Sequence, residues 1–359
     1  MATRVAFLDV ARGVALLLMV VNHTARWWLG DAMEPGRSVL VYASVLVPGA
    51  LFLLLVGFSL PLGRGGMARW VRRGVALAVA GIALNVVVFP DEPAWRGRVL
   101  QTIALSVVLL GPAVPLLRRP AARVATLAVA ALAYVAYVAS SPALNVWLGG
   151  HPGVAEVLFR EFPPWPWLGV PLAGAALGWA WLERRGRGDG AERRLFTALA
   201  AIAATATWAY AAIDWSRAAS PPLGFTRDVI VNDCWTPGAA TLLLVAGGLA
   251  LVLALAWWLT EVRRMTLRSL GVLGRAALML YLLHHVVVVT AVSRGLGWRA
   301  DGWIAYVAAN VLLVVALVAV ARVWRSIGRG GAWSRGGQLR TEPSSSASSS
   351  NAAAMRARV

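Results

Sequence analysis

The chain repeatedly runs for about twenty residues through alanine, valine, leucine and tryptophan with few charges, the length that crosses a bilayer core as an α-helix. Ten such stretches lie near 7–29, 38–62, 70–89, 97–117, 122–140, 165–183, 195–214, 237–260, 269–293 and 301–324, separated by short arginine-rich or Pro/Gly-rich breaks. In lipid the backbone has no water to bond, so each apolar stretch must satisfy its own N–H and C=O groups as helix. The expectation is an all-α polytopic membrane protein of about ten transmembrane helices, with residues 141–164 irregular. Composition agrees: 59% of the 359 residues are hydrophobic and 14% charged, against roughly 45–50% and about 25% in soluble domains. The first stretch follows Arg4, Asp9 and Arg12 and has no small-residue cleavage site behind it, so it reads as a retained helix and not a signal peptide. Residues 1–328 are read as one transmembrane domain, and residues 329–359, rich in Arg and Ser around Pro343–Asn351, as a disordered cytoplasmic tail.

Charge fixes an orientation. All 34 basic residues are arginine, and against 16 acids they leave a formal charge of +18. Such a surplus suits nucleic acid, a membrane surface, or loops held on the cytoplasmic side of a membrane. With ten spans and the N-terminus inside, 25 arginines and 6 acids fall on the inner side, so the charge resolves to +19 inside and −1 outside. The positive-inside rule is obeyed, both termini are expected in the cytoplasm, and the protein is expected in the inner (plasma) membrane. Nucleic-acid binding needs a contiguous basic stripe, whereas these arginines alternate with apolar spans. The single cysteine, Cys234, allows no intramolecular disulfide.

Ionisable groups inside spans are costly and mark either a functional pathway or a paired lock. The first span carries Asp9, Arg12, Asn22 and His23. At about 100° per residue, Arg12 and His23 fall within about 20° of one face and Asp9 within about 40° of His23. Asp9 and Arg12, three apart, also have the spacing of a simple ion pair, and His23 could equally be an interfacial histidine beside Trp27 and Trp28. Asn85 in the third span, Arg98 and Gln101 in the fourth, and Tyr281, His284 and His285 in the ninth all come to the outer half. Amides at such depth commonly make interhelical hydrogen bonds, and a histidine pair can serve packing. Three of the four histidines nevertheless share one level. A neutral imidazole there can remove a proton from a hydroxyl or amine; His23, beside Asn22, is the best-placed base. On the inner side, Arg64, Arg69, Arg72 and Arg73 gather at the start of the third helix, where guanidinium forks and the helix N-terminus suit a phosphate, or simply lipid headgroups. His151, between Gly150 and Pro152, is expected in solvent. The chain has no phosphate-binding Walker loop, no His-x-x-x-His or Cys pair for zinc and no GxSxG elbow, so no metal is expected.

The segments FLDVARGVALLLMVVNH, RRGVALAVAGIALN, GRVLQTIALS, PWPWLGVPLAGAALG and LGRAALMLYLLHH resemble, in order, the transmembrane domain of the heparan-alpha-glucosaminide N-acetyltransferase-like family, and more loosely the wider membrane sugar acyltransferases. The similarity runs from residue 4 to about 324. It implies a membrane acyltransferase that takes acetyl from cytoplasmic acetyl-CoA and delivers it to a sugar amine or hydroxyl on the far side. Carried over residue by residue, the resemblance makes His23 catalytic with Asn22 its neighbour and the nearest oxyanion donor. It gives Arg69, Arg72 and Arg73, with Arg12 at the same inner mouth, to the CoA phosphates, and has Gln101, Trp165, Trp167, His284 and His285 line a tunnel. Asp9, Asn85 and Tyr281 are read as structural polar groups. In the eukaryotic branch the histidine lies further past the asparagine, where this chain has Met33, and a sizeable luminal domain has no counterpart here; both points leave the acceptor open. No permanently bound cofactor is expected. Acyl-CoA is the expected co-substrate, with membrane lipids and a sugar or glycan as partners and self-association left open. The competing reading is a transporter or flippase for a lipid-linked sugar that uses the same polar tunnel without chemistry.

Overall fold

The computed structural model describes residues 5–34, 36–63, 66–159, 162–217 and 239–330. Cys234, Arg4, Arg64 and the serine-rich tail therefore lie outside the described residues. The rest is helical. In chain order the long helices are α1 (Ala6–Trp28), α2 (Gly36–Ser59), α3 (Met67–Val88), α4 (Val99–Ala113), α5 (Pro120–Gly149), α6 (Gly169–Arg184), α7 (Ala191–Arg217), α8 (Ala239–Trp257), α9 (Arg268–Arg275), α10 (Ala277–His285) and α11 (Trp303–Gly330). Residues 1–321 form one compact unit; from Arg322 the chain belongs to a second, of which the described part is the helical stretch to Gly330.

Helices occupy all ten expected stretches, but seven among the described residues are long and apolar enough to cross a membrane: Ala6–Trp28, Met67–Val88, Val99–Arg118, Pro120–Tyr137, Leu243–Val262, Ala277–Gly295 and Trp303–Ile327. Of the other three, α2 (24 residues) contributes the apolar run Val47–Leu62 among its described residues. Helix α6 has 16 residues, about 24 Å at 1.5 Å per residue, less than the ~30 Å of a hydrocarbon core. Helix α7 opens on Glu192, Arg193 and Arg194 and continues through an uncharged, alanine-rich stretch whose last residues lie only partly within those described.

Two expectations are corrected. Helix α5 runs on to Gly149, and the irregular part is confined to short turns over Pro152–Val154, Ala155–Phe159 and Pro164–Trp167. The ninth stretch is not one helix: it breaks at Ala276 (φ −101°, ψ 13°) into α9 and α10, and beyond His285 it widens into π-helical turns over Val286–Gly295. No proline stands at the break, and Gly274, in the last turn before it, lies against α1 so closely that a Cβ there would meet the Asp9 carbonyl, as one on Gly13 would meet the Leu270 carbonyl.

α1 is the central post. Fourteen of its residues are buried, and at its basic end Phe7 meets Phe58, Trp181 and Phe196 edge-on at 5.4–5.8 Å between ring centres. Glu192 closes this cluster, its Oε1 accepting from Trp181 Nε1 and Trp257 Nε1, each at 2.8 Å. One carboxylate thus joins α6, α7 and α8. Glu192→Ala strands two buried indole N–H groups, and at about 1–3 kcal/mol for each stranded donor it lowers the unfolding temperature in detergent clearly. Glu192→Gln, which keeps an acceptor oxygen, falls between Ala and the parent.

Candidate functional site

The far end of α1 is tied on three sides. Asn22 Nδ2 donates to the Val41 carbonyl (2.8 Å) and Ser44 Oγ (3.3 Å) on α2. Thr24 Oγ1 donates to Asn310 Oδ1 (2.8 Å) and lies 3.1 Å from the Tyr306 hydroxyl on α11. Trp28 Nε1 donates to the Val288 carbonyl (3.1 Å) in the π-helical segment. These bonds hold the imidazole of His23 against α10, where it meets both histidines of the ninth stretch. His23 Nδ1 lies 2.9 Å from His284 Nε2, with the two rings 11° from parallel, and the His285 ring centre is 4.3 Å away. His284 and His285 are buried.

The bonds assign the protons. His284 Nδ1 sits 3.0 Å from the Leu280 carbonyl and His285 Nδ1 2.8 Å from the Tyr281 carbonyl. A carbonyl only accepts, so both Nδ1 atoms carry hydrogen and, in neutral rings, both Nε2 atoms carry a lone pair. His284 Nε2 must then accept from His23 Nδ1–H. That leaves His23 Nε2 as an unprotonated nitrogen, the arrangement of a general base oriented by a second residue.

His23 and His285 line a cavity of about 290 Å³, together with Asn22, Tyr281, Arg26, Glu92, Arg98 and Arg294. Its rim is strongly charged. Glu92 pairs with Arg98 and, at 2.9 Å, with Arg96, which also binds Glu156 at 2.6 Å. The Arg98 guanidinium lies 3.7 Å above the Phe89 ring. Arg294 donates to the Val88 carbonyl at 2.6 Å and stands 3.6 Å from Asp91. Arg26, Glu92 and Arg294 were not singled out in the sequence. The signal was available: arginine is depleted on the side away from the basic end, so each one kept there has a reason to be there.

The expected polar and lining groups divide by what holds them. Both bonds from the Asn22 Nδ2 group go to α2, so this amide, although it lines the cavity, ties α1 to α2. Asn85 Nδ2 donates to the Ala94 and Arg96 carbonyls, both at 2.9 Å, and fixes the turn after α3. Gln101 Oε1 accepts from Arg98 N at 3.2 Å in the first turn of α4. Trp167 is buried against Phe162, Trp165 is 40% exposed, and Gln101, Trp165 and Trp167 line neither this cavity nor the next. His151 is exposed and stacked on Trp147 at 4.1 Å.

A second cavity, about 420 Å³, opens nearer the basic end. Its walls are apolar, from Phe52, Leu55, Val56, Leu77, Val107 and Leu278, and Arg12, Ser59, Trp70 and Arg73 also line it. Arg12 donates to Asp9 Oδ1 (3.1 Å) and Ser59 Oγ (2.6 Å), and Arg275 stands 3.7 Å from Asp9. Arg12 and Asp9 therefore pair, as their spacing allowed, and Arg12 still faces the cavity. Arg73, its guanidinium 5.3 Å over Trp70, also lines it. Arg69 and Arg72 are exposed on the first turns of α3 and do not. The stripe expected on α1 is real: Arg12 faces one cavity and His23, eleven residues on, faces the other.

The ligand nitrogens of His23, His284 and His285 all lie within 4.8 Å of one another, a spacing three imidazoles around one ion could adopt. Two features weigh against a dication: His23 and His284 already bond each other, and Arg26, Arg98 and Arg294 bring positive charge to the same cavity. The arrangement is suited to proton removal beside a developing negative charge.

No curated protein matches the chain. A family profile does, and the matched region holds α1 through most of α7, hence His23, Arg12 and Arg73, while His284 and His285 lie beyond it. That profile, described as "Heparan-alpha-glucosaminide N-acetyltransferase, catalytic", covers residues 4–212, more than half of the sequence, and the chain belongs to this family of membrane acetyltransferases.

Proposed function

We propose that the protein transfers an acyl group, acetyl in the first instance, from acyl-CoA bound at the basic, cytoplasmic end to an amine or hydroxyl of a sugar held in the histidine-lined cavity at the outer end. The observation that carries this reading is the pair of cavities along α1, one apolar with Arg12 and Arg73 in its wall, the other polar and built around His23. Guanidinium groups suit the phosphates of CoA, and apolar walls suit an acyl-pantetheine arm. In the transfer, His23 Nε2 takes the proton of the acceptor as its nitrogen or oxygen adds to the thioester carbonyl. The tetrahedral oxyanion then collapses, the C–S bond breaks, and the proton passes from His23 to the departing CoA sulfur. Since the Asn22 amide is committed elsewhere, stabilisation of the oxyanion falls to the positive field of the guanidinium groups in the outer cavity. The charge asymmetry supports this orientation, and a multi-pass protein of the plasma membrane is the setting it suits.

Thermal unfolding in detergent with CoA and acetyl-CoA tests the reading. At a hundredfold excess over Kd, a ligand that binds only the folded state stabilises it by about 2.7 kcal/mol, and Arg73→Glu reduces the shift at equal ligand concentration. No shift at saturating acetyl-CoA would instead support a transporter for a lipid-linked sugar, which needs neither CoA nor Arg73.

A further inference from the structure

The two cavities share the same five helices, and what separates them is uneven. On α1 the step from the apolar cavity (Arg12) to the histidine cavity (Met19) is seven residues, on α3 (Leu77 to Leu84) seven, and on α4 (Val107 to Val99) eight, or about 10–12 Å of helix at 1.5 Å per residue. On α2 the step from Phe52 to Gly49, and on α10 from Leu278 to Tyr281, is three residues, about 4.5 Å. The wall is therefore thinnest between α2 and α10. There Phe52, lining the apolar cavity, meets Tyr281, lining the histidine cavity, edge-on with ring centres 6.4 Å apart and planes at 83°.

The backbones bearing these rings are both irregular. Pro48 stands inside α2, four residues before Phe52, and has no N–H to give the Ser44 carbonyl. Helix α10 passes into π-helical turns at Val286, five residues after Tyr281. Such irregularities are where helices bend, so the partition is mounted on two walls able to move.

We propose that Phe52 and Tyr281 form a removable partition across one continuous passage, and that Phe52 is a positioning residue that keeps the donor thioester from far-side water until the acyl arm displaces its ring. The second half rests on the acyltransferase reading; the first does not. With the ring removed and no acceptor present, water reaches the thioester: its oxygen adds to the carbonyl carbon, the C–S bond breaks, and acetate, a proton and CoA thiol are released.

The test uses full-length protein in proteoliposomes, in a Cys234→Ala background carrying Leu84→Cys in the histidine cavity, with sulfonatoethyl methanethiosulfonate added from one aqueous side at a time. With both rings in place, labelling is expected from one side only. Phe52→Ala or Tyr281→Ala makes it two-sided, the rate from the closed side rising at least tenfold, and Phe52→Tyr restores one-sided labelling. If Phe52→Ala does not fold, Phe52→Leu, which also lacks the ring, is read in its place. Two-sided labelling with both rings intact, or one-sided labelling after loss of either ring, overturns the partition. Acceptor-free release of CoA from acetyl-CoA is measured beside it and should rise about tenfold in the variants that label from both sides. A labelling switch without any binding of acetyl-CoA leaves the partition standing and overturns the acyl-CoA reading alone.

Discussion

His23→Asn abolishes acyl transfer, lowering kcat by about 10²–10⁴-fold, the range a positioned general base contributes, while the unfolding temperature and CoA affinity stay near those of the parent. Asparagine is the informative replacement because its amide N–H can still reach His284 Nε2, preserving the one hydrogen bond the His23 ring makes to α10, and it offers no nitrogen lone pair. His284 is expected to act through His23. His284→Gln puts an acceptor oxygen near the lost Nε2 and retains much of the activity. His284→Ala removes the acceptor, frees the tautomer of His23 and costs roughly tenfold or more, as misassigned tautomers do in other base–nucleophile pairs. The measurement is CoA thiol released from acetyl-CoA over a panel of amino and hydroxyl sugars. Turnover retained by His23→Asn would remove His23 as the base; equal losses in both His284 variants would mean that His284 acts on the substrate itself.

The contact behind this prediction was half legible in the sequence. Helical rise and span direction put His23, His284 and His285 at one depth, because depth is a property of each helix taken alone. Which imidazole touches which depends on how α10 is rotated and on the break at Ala276, which follows Gly274, a glycine held against the backbone of α1. Asn22 is a different case. Adjacency to His23 suggested a shared task, but neighbours on a helix point about 100° apart, so Asn22 reaches α2 while His23 reaches α10. The arginines divide in the same way. Their number on the basic side follows from orientation, which hid the difference between Arg73, which lines a cavity, and Arg69 and Arg72, which do not, although all three are exposed on the same helix.

That crossing of α1 and α9 also sets up the largest expected effect on the fold. Gly274→Ala destabilises the protein by about 3 kcal/mol, at the upper end of ordinary overpacking, because the added methyl meets backbone. A side chain in its path could rotate away; the carbonyl of Asp9 belongs to the buried turn of α1 that also carries the Asp9–Arg12 pair. The helices must part, and Gly13 against Leu270 on the opposing surface leaves them no closer alternative registry. Since Arg12 lines the apolar cavity and His23 the other, a shift of α1 changes both at once. Gly274→Ala should therefore lower the unfolding temperature, weaken the acetyl-CoA thermal shift and reduce turnover together, unlike His23→Asn, which touches turnover alone. Gly153→Ala is the matched control, a helical glycine with nothing within 4 Å of an added methyl, where alanine is neutral or slightly stabilising. An unfolding temperature unchanged by Gly274→Ala would show that α1 and α9 do not pack backbone to backbone, and would loosen the placement of His23 that rests on it.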